Sequence, residues 1–274
     1  MSPSISQFKK TIWSYYRKNR RDMPWRNNTT SYYVVVSEIM LQQTQIDRVM
    51  KKFISFIKRF PTWQSLANAS TQDVLEEWSG LGYNRRALYL KRIAEHVTEQ
   101  GKKKGILSSI YEELCKLPGI GPNTAGSILA FAYNIPHPFI ETNIRSVFIH
   151  FFFTQTTAKV HDADILTLIE KTLDQDNPRE WYYALMDYGA YLKSTQSNPS
   201  RKSLHHVQQT PFKGSNRELR SHILKYILKN PTNAQQVIKS FPATPPEHIK
   251  KNLKALEKEG FIVHQHTTKN YRIA

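Results

Sequence analysis

The sequence predicts an all-α chain that ends in a small α/β module, and three observations carry that reading. Apolar residues recur at helical spacing from the start, as in Ile5, Phe8, Ile12 and Tyr15. Leu117 to Tyr133, LPGIGPNTAGSILAFAY, joins two helical segments through a glycine turn. Short runs of strand type, Phe261-Ile262-Val263 and Tyr271-Arg272-Ile273, stand out near the C-terminal end.

Composition narrows the function classes. In 274 residues, 39 Lys and Arg face 22 Asp and Glu, a formal net charge of +17. Such an excess suits a polyanion, without separating DNA from RNA or an acidic membrane. The single cysteine, Cys115, excludes a disulfide framework or a cysteine-ligated cluster within the chain. No apolar run approaches the ~20 residues of a membrane span, and Met1 to Arg20 lacks the apolar centre of a secretory signal. The expectation is a soluble intracellular protein with no membrane partner.

Taken in order, the chain opens with a basic amphipathic helix, which Met23-Pro24-Trp25-Arg26 breaks. A second helix begins near Tyr33 and carries Glu38 inside YVVVSEIMLQQTQ. Helical spacing puts Val34, Glu38, Leu41, Gln42 and Gln45 on one side, an acid among apolar and amide groups. Partial desolvation there raises a carboxyl above its usual ~4.3 and readies it to donate a proton; the plainer alternative is a glutamate on a polar surface. Phe53, Ile57 and Phe60 continue an apolar helix face, and Ser70 with Asp73 opens another helix.

Gly80-Leu81-Gly82-Tyr83, followed by Arg85 and Arg86, is a second glycine turn with a basic helix start, suited to a DNA backbone or groove. Tyr83 reads as a wedge for a duplex or as an ordinary buried tyrosine. Lys102 to Lys104 reads as a solvated loop. In the central turn, Gly119 and Gly121 leave the backbone open and Pro122 starts a helix. Its bare amides can hold a phosphate, or the turn simply joins two helices. Pro136 and Pro138 end that helix, and Glu141-Thr142-Asn143 precedes Ile144, Val147 and Phe148, so Glu141 sits where a cap belongs.

Leu166, Ile169, Leu173, Trp181, Leu185 and Met186 form the core of the following helical segment. A Pro-, Ser- and Lys-containing linker spans 198–215. Helices are then expected over Arg217 to Leu228, over Asn233 to Phe241 and from Thr244-Pro245-Pro246, before the two strands. This tail resembles a winged-helix module. Lys250, Lys251, Lys254 and Lys258 give its third helix a flank for DNA phosphates or a solvated face on a protein-docking module.

WRNNTTSYYVVVSEIMLQQTQ, GLGY, LPGIGPNTAG, FIETNIRSV and YALMDYGA occur in an order that resembles the MutY-type adenine DNA glycosylases of the helix-hairpin-helix superfamily. The resemblance runs from about Trp25 to Ala190. It implies that Glu38 protonates a departing base. It also implies that the carboxylate at Glu141, where the family has aspartate, supports a cationic sugar with the help of Asn143. A lysine of the lyase members is replaced by Asn123, so the Schiff-base route to strand cleavage is not expected. Gln42 and Tyr83 would press into the base stack. Gln43, Arg26, Arg85, Arg86, Gly119, Gly121 and Thr124 complete the expected DNA contacts.

Most relatives hold an iron–sulfur cluster with four cysteines after the YGA motif; here KSTQSNPSRKSLHH has none. No cluster, other metal or organic cofactor is expected, and His205 and His206 read as loop or phosphate-contact residues.

The resemblance implies a helix-hairpin-helix core of two lobes with an active cleft between them. The expected domains are 24–138 for the barrel lobe, 1–23 with 139–197 for the second lobe, and 216–274 for the winged-helix-like module. The expected activity is monofunctional hydrolysis of the N-glycosidic bond of a flipped base, most simply adenine opposite guanine or 8-oxoguanine. The protein would act as a monomer on duplex DNA holding a mismatched or damaged pair, in the cytoplasm or nucleoid. The alternatives are a thymine or uracil mismatch glycosylase and a non-catalytic DNA-binding protein that keeps the fold.

Overall fold

The computed structural model describes residues 2–99, 105–208, 210–265 and 267–274; the charge run Lys102 to Lys104 lies outside them. Two compact units emerge, one of residues 1–38 with 107–208 and one of residues 39–106 with 209–274. Each contains segments from distant parts of the chain.

The first unit is built on aromatic packing. Ile5–Asn19 starts at a capping box of Ser4 and Gln7 and buries Phe8, Ile12 and Tyr16. Phe8 meets Phe148, Phe151, Phe152 and Trp181, with ring centroids 5.1 to 5.9 Å apart. These partners sit on Thr142–Phe152 and Pro178–Thr195, the central helix pair. The expected break at Pro24 is a short helix, Pro24–Asn27, because proline suits a first helical position. The hairpin consists of Tyr111–Cys115, a turn and Pro122–Tyr133. Asn134, in the left-handed region at φ 54°, ends the second helix before Pro136 is reached.

In the second unit, Ile46–Arg59, Trp63–Asn68, Thr71–Trp78 and Arg85–Thr98 pack around Phe53, Phe56, Leu66 and Trp78. Asn216–Lys229, Ala234–Ser240 and Pro246–Lys258 fall where the periodicity put them. The two expected strands, Ile262–Gln265 and Asn270–Ile273, are joined by a third, Thr232–Asn233. The sheet is antiparallel with Asn270–Ile273 in the middle, and Val263 opposes Arg272.

This tail is docked within its unit rather than left on a tether. Glu259 accepts from Arg220 at 2.7 Å and pairs with Arg85 at 2.8 Å. The stretch expected as a linker is partly built into the first unit, since Pro199–Lys202 forms a 3-10 turn and Ser203 bridges Val160.

Candidate active site

Glu38 lies on the helix Ser31–Leu41 and stays only partly accessible. Its Oε2 accepts from the Ser127 hydroxyl at 2.6 Å, and Ser127, buried on Pro122–Tyr133, also reaches the Thr124 carbonyl at 2.9 Å. Burial pushes the Glu38 carboxyl up to about 7; the Ser127 hydrogen bond opposes the rise and the Glu141 charge adds to it. An acid in this state is half protonated near neutrality, the condition for general acid catalysis.

Glu141 is the N-cap of Thr142–Phe152. Its Oε1 accepts from the backbone amides of Asn143 at 2.8 Å and Ile144 at 3.0 Å, and its Oε2 accepts from Asn143 Nδ2 at 3.2 Å. Cap and candidate catalytic group are therefore the same side chain. A carboxylate at a helix start is favoured by the dipole, and two amides fix its direction. Asn143 is held in turn, its Oδ1 accepting from Lys193 Nζ at 2.8 Å. Burial pulls the Lys193 ammonium below its usual range, while the Glu141 charge works the other way.

Close backbone approach makes this arrangement fit. A Cβ on Gly189 would stand 2.4 Å from the Asn143 carbonyl oxygen, so only glycine lets Pro178–Thr195 press onto Asn143. A Cβ on Gly126 would come within 2.8 Å of Phe139 Cβ. Asn123, whose amide could also hydrogen-bond a base or the sugar-phosphate, accepts from the Ile140 amide at 3.0 Å and so steadies the segment leading into Glu141.

The hairpin turn has the predicted form. Gly119 is left-handed at φ 77°, Gly121 is the N-cap, and the start of Pro122–Tyr133 is exposed without a side-chain cap. Thr124 follows in the first turn, partly accessible.

The structure corrects two arginines. Arg26 is only 5% exposed: it donates to both Asp187 oxygens, at 2.8 and 2.9 Å, and stacks on Tyr183 at 4.3 Å, so it is not presented to a phosphate. Burial alone would raise Asp187, but the hydrogen bonds and charge of Arg26 outweigh it and hold that carboxyl below its usual range. Arg86, 6% exposed, spends its donors inside the protein rather than on DNA. Its Nη1 donates to the carbonyls of Ile39, Met40 and Gln42 at 2.6 to 2.9 Å, and its Nη2 to Thr44 Oγ1 and Gly82 O. Carbonyls left over at a helix end need donors, and a guanidinium supplies several at once.

That bonding also corrects the stripe expected through Gln42 and Gln45. The helix stops at Leu41, and Gln45 caps the next one. Gln43 and Tyr83 both take positive φ, 55° and 48°, uncommon for side chains of this kind. Both loops are braced by Arg86. Arg85, expected on DNA, is exposed but paired with Glu259.

Ser127 and Lys193 were missed in the sequence. A serine in the apolar hairpin helix, and a lysine one turn after Gly189, were the available signals. Among the described residues no cluster of His, Cys, Asp and Glu could hold a metal ion.

Residues 36–171 match the HhH-GPD superfamily base excision DNA repair protein family. The chain is 36% identical over 197 residues to the adenine DNA glycosylase of Buchnera aphidicola subsp. Baizongia pistaciae, covering 70% of this chain and 54% of that one. It is 35% identical over 186 residues to that of Mycobacterium tuberculosis, covering 65% and 59%. The chain thus spans little more than half the length of these relatives. A solved thermostable thymine-DNA glycosylase superposes with a TM-score of 0.63 over 71% of this chain and 90% of that one, at 23% identity, which shows the fold. The hairpin, the two carboxyls Glu38 and Glu141 and the family match lead to one conclusion: the chain belongs to the HhH-GPD superfamily of base excision DNA repair proteins.

Proposed function

We propose that the chain is a monofunctional DNA N-glycosylase that removes adenine opposite guanine or 8-oxoguanine. The observation that carries this reading is the pairing of unlike carboxyls in one unit: Glu38, raised to about 7, and Glu141, locked by two amides and Asn143. Two acids in different environments divide the work of base expulsion and cation stabilisation. Similarity at 36% to an adenine DNA glycosylase supports adenine as the base, since the thymine-DNA glycosylase resembles this chain in fold alone.

Glu38 donates its proton to a ring nitrogen of the flipped adenine, so the base leaves neutral as the bond to C1′ breaks. Glu141 faces the sugar cation and orients the water that adds to C1′. Ionised Glu38 takes the proton which that water gives up, restoring the starting state. Asn123, an amide bonded to the Ile140 backbone, forms no Schiff base, so strand cleavage by that residue is not part of the reaction. The exposed amides after Gly119 and Gly121 hold a backbone phosphate. The reaction needs no metal, iron–sulfur cluster or organic cofactor, and the protein works as a monomer on genomic DNA inside the cell. Among the described residues no helix is long and apolar enough to cross a membrane.

Labelled duplexes carrying A opposite G, A opposite 8-oxoguanine, T opposite G and U opposite G test the reading after treatment with hot alkali. Cleavage at adenine alone, lost in Glu38→Gln, is the expected result. Cleavage confined to T or U would overturn the choice of base, and binding without cleavage would overturn the enzymatic reading.

A further inference from the structure

Two locally unfavourable features meet in the second unit. Tyr83, 36% exposed, sits at φ 48° at the tip of a loop whose glycines, Gly80 and Gly82, are at φ 96° and 74°. A non-glycine residue in the left-handed region costs roughly 1 kcal/mol or more and persists only where its surroundings hold it. Arg217 lies in the first turn of Asn216–Lys229, where the helix dipole disfavours a cation. That arginine is aimed at that tyrosine: Nη1 donates to the Tyr83 hydroxyl, and the guanidinium lies 5.4 Å from the ring centroid. Arg86 stands 5.5 Å from the same ring, so the aromatic face is flanked by two guanidinium groups.

The charges nearby sort differently. Arg85 and Arg220 share Glu259. Arg217 donates to neutral oxygens, those of Tyr83 and of Thr210 at 2.6 and 3.2 Å, and among the described residues it forms no ion pair. An exposed aromatic beside an unneutralised guanidinium combines a platform for a base with a donor fork for strand oxygens.

We propose that Arg217, carried by the C-terminal module, is a DNA contact that acts with Tyr83, its guanidinium taking an oxygen of the strand on which the tyrosine stacks. The C-terminal module is then part of the DNA-binding surface itself. This rests on the DNA-binding part of the proposed function. The oxygen belongs to a phosphate or to the base opposite the target, and the test separates these sources.

The test measures binding of the full chain to duplexes by fluorescence anisotropy, in a Glu38→Gln background that prevents excision. Salt is varied over roughly 50 to 200 mM. On an A·G duplex, Arg217→Ala is expected to weaken binding about tenfold and to lower the salt slope by ~0.9, the signature of one lost phosphate neutralisation. If the contact is to the opposite base, affinity for A·G falls more than for A·C and the slope holds. Either pattern supports the proposal. With Tyr83→Ala already present, Arg217→Ala should cost less than it does alone, as coupled neighbours require.

Arg217→Lys, which keeps the charge, should retain the slope, and Arg217→Gln, which keeps a donor toward Tyr83 but not the charge, replaces the alanine variant if thermal melting shows that one unfolded. Unchanged affinity and slope in a folded Arg217→Ala variant would overturn the inference. A background protein that binds no duplex would instead overturn the proposed function.

Discussion

Ser127 Oγ lies 2.6 Å from Glu38 Oε2 and 2.9 Å from the carbonyl oxygen of Thr124, so one hydroxyl faces two acceptors. It carries a single proton. While Glu38 is ionised, Ser127 donates to the carboxylate rather than to the Thr124 carbonyl. Once Glu38 is protonated it donates to Ser127, which turns its own proton to Thr124. Both states are hydrogen-bonded, so Ser127 can follow the proton of Glu38 without leaving its rotamer.

Ser127→Ala should therefore shift the pH dependence of excision. The charge-assisted bond to ionised Glu38 exceeds the neutral bonds that replace it by about 1 kcal/mol. Losing the hydroxyl disfavours the ionised form and raises the carboxyl further above about 7. In the proposed mechanism the protonated acid is the active form, so activity should fall as pH rises through that value. In Ser127→Ala the falling limb should move up by roughly half to one pH unit. Single-turnover rates across the neutral range check this; a limb that stays in place or moves down would show that Ser127 does not touch the acid.

Glu38→Gln should stabilise the fold while abolishing excision. The carboxyl rises from 4.5 to about 7 on folding, so the native state binds more protons than the unfolded chain between those values. Stability is therefore lost as pH climbs from the lower value to the higher and stays reduced above it. The loss amounts to up to about 3 kcal/mol. Glutamine does not ionise, so Glu38→Gln should resist urea better than the parent at about pH 8 and match it near pH 4.5. An equal difference at both pH values would mean that the buried charge is not the cause.

These two residues show how much of the site the sequence displayed. Glu38 stands in a local pattern, an acid on an apolar helix, whereas the pattern at Glu141 reads only as a helix cap, and it is the family resemblance that points to Glu141 and Asn143 as site residues. Ser127 and Lys193 could not be found, since their partners lie 89 and 50 residues away and a lone polar residue does not name its partner. Arg26 and Arg86 fail in the opposite way. In a chain with a net charge of +17 an arginine beside a motif invites a DNA role, yet these two are consumed by Asp187 and by loop carbonyls. The helices of the tail were legible from periodicity; its docking through Glu259 was not, because a glutamate reads as solvated until the facing arginines are placed.

Glu141→Gln should separate the two roles of that side chain. The amide oxygen still accepts from the Asn143 and Ile144 amides at the Oε1 position, so the helix keeps its cap and the melting temperature should fall by only a few degrees. The negative charge that the proposed mechanism sets against the sugar is gone, and loss of such a group costs on the order of 100-fold in rate. Glu141→Ala should add a cap loss of ~1 kcal/mol to the same rate defect. Thermal melting and single-turnover excision, measured on one preparation, check both. A Glu141→Gln variant with the parent's rate would reduce Glu141 to a cap.

Gly189→Ala tests whether helix contact positions the site. In an isolated helix the change is favourable by about 1 kcal/mol. Here the new methyl would meet the Asn143 carbonyl oxygen at 2.4 Å and Asn143 Cβ at 2.6 Å, so the helices Thr142–Phe152 and Pro178–Thr195 must part. Overpacking of that kind costs roughly 1 to 3 kcal/mol, which outweighs the propensity gain. The separation also draws Lys193 from Asn143 Oδ1, now 2.8 Å away, and loosens the amide that holds Glu141 Oε2. A displacement near 1 Å at a catalytic group can lower the rate by ~100-fold. Gly189→Ala should therefore unfold at lower urea and, when fully folded, excise at least tenfold more slowly. A stabilised variant with the parent's rate would show that the two helices do not meet at Asn143.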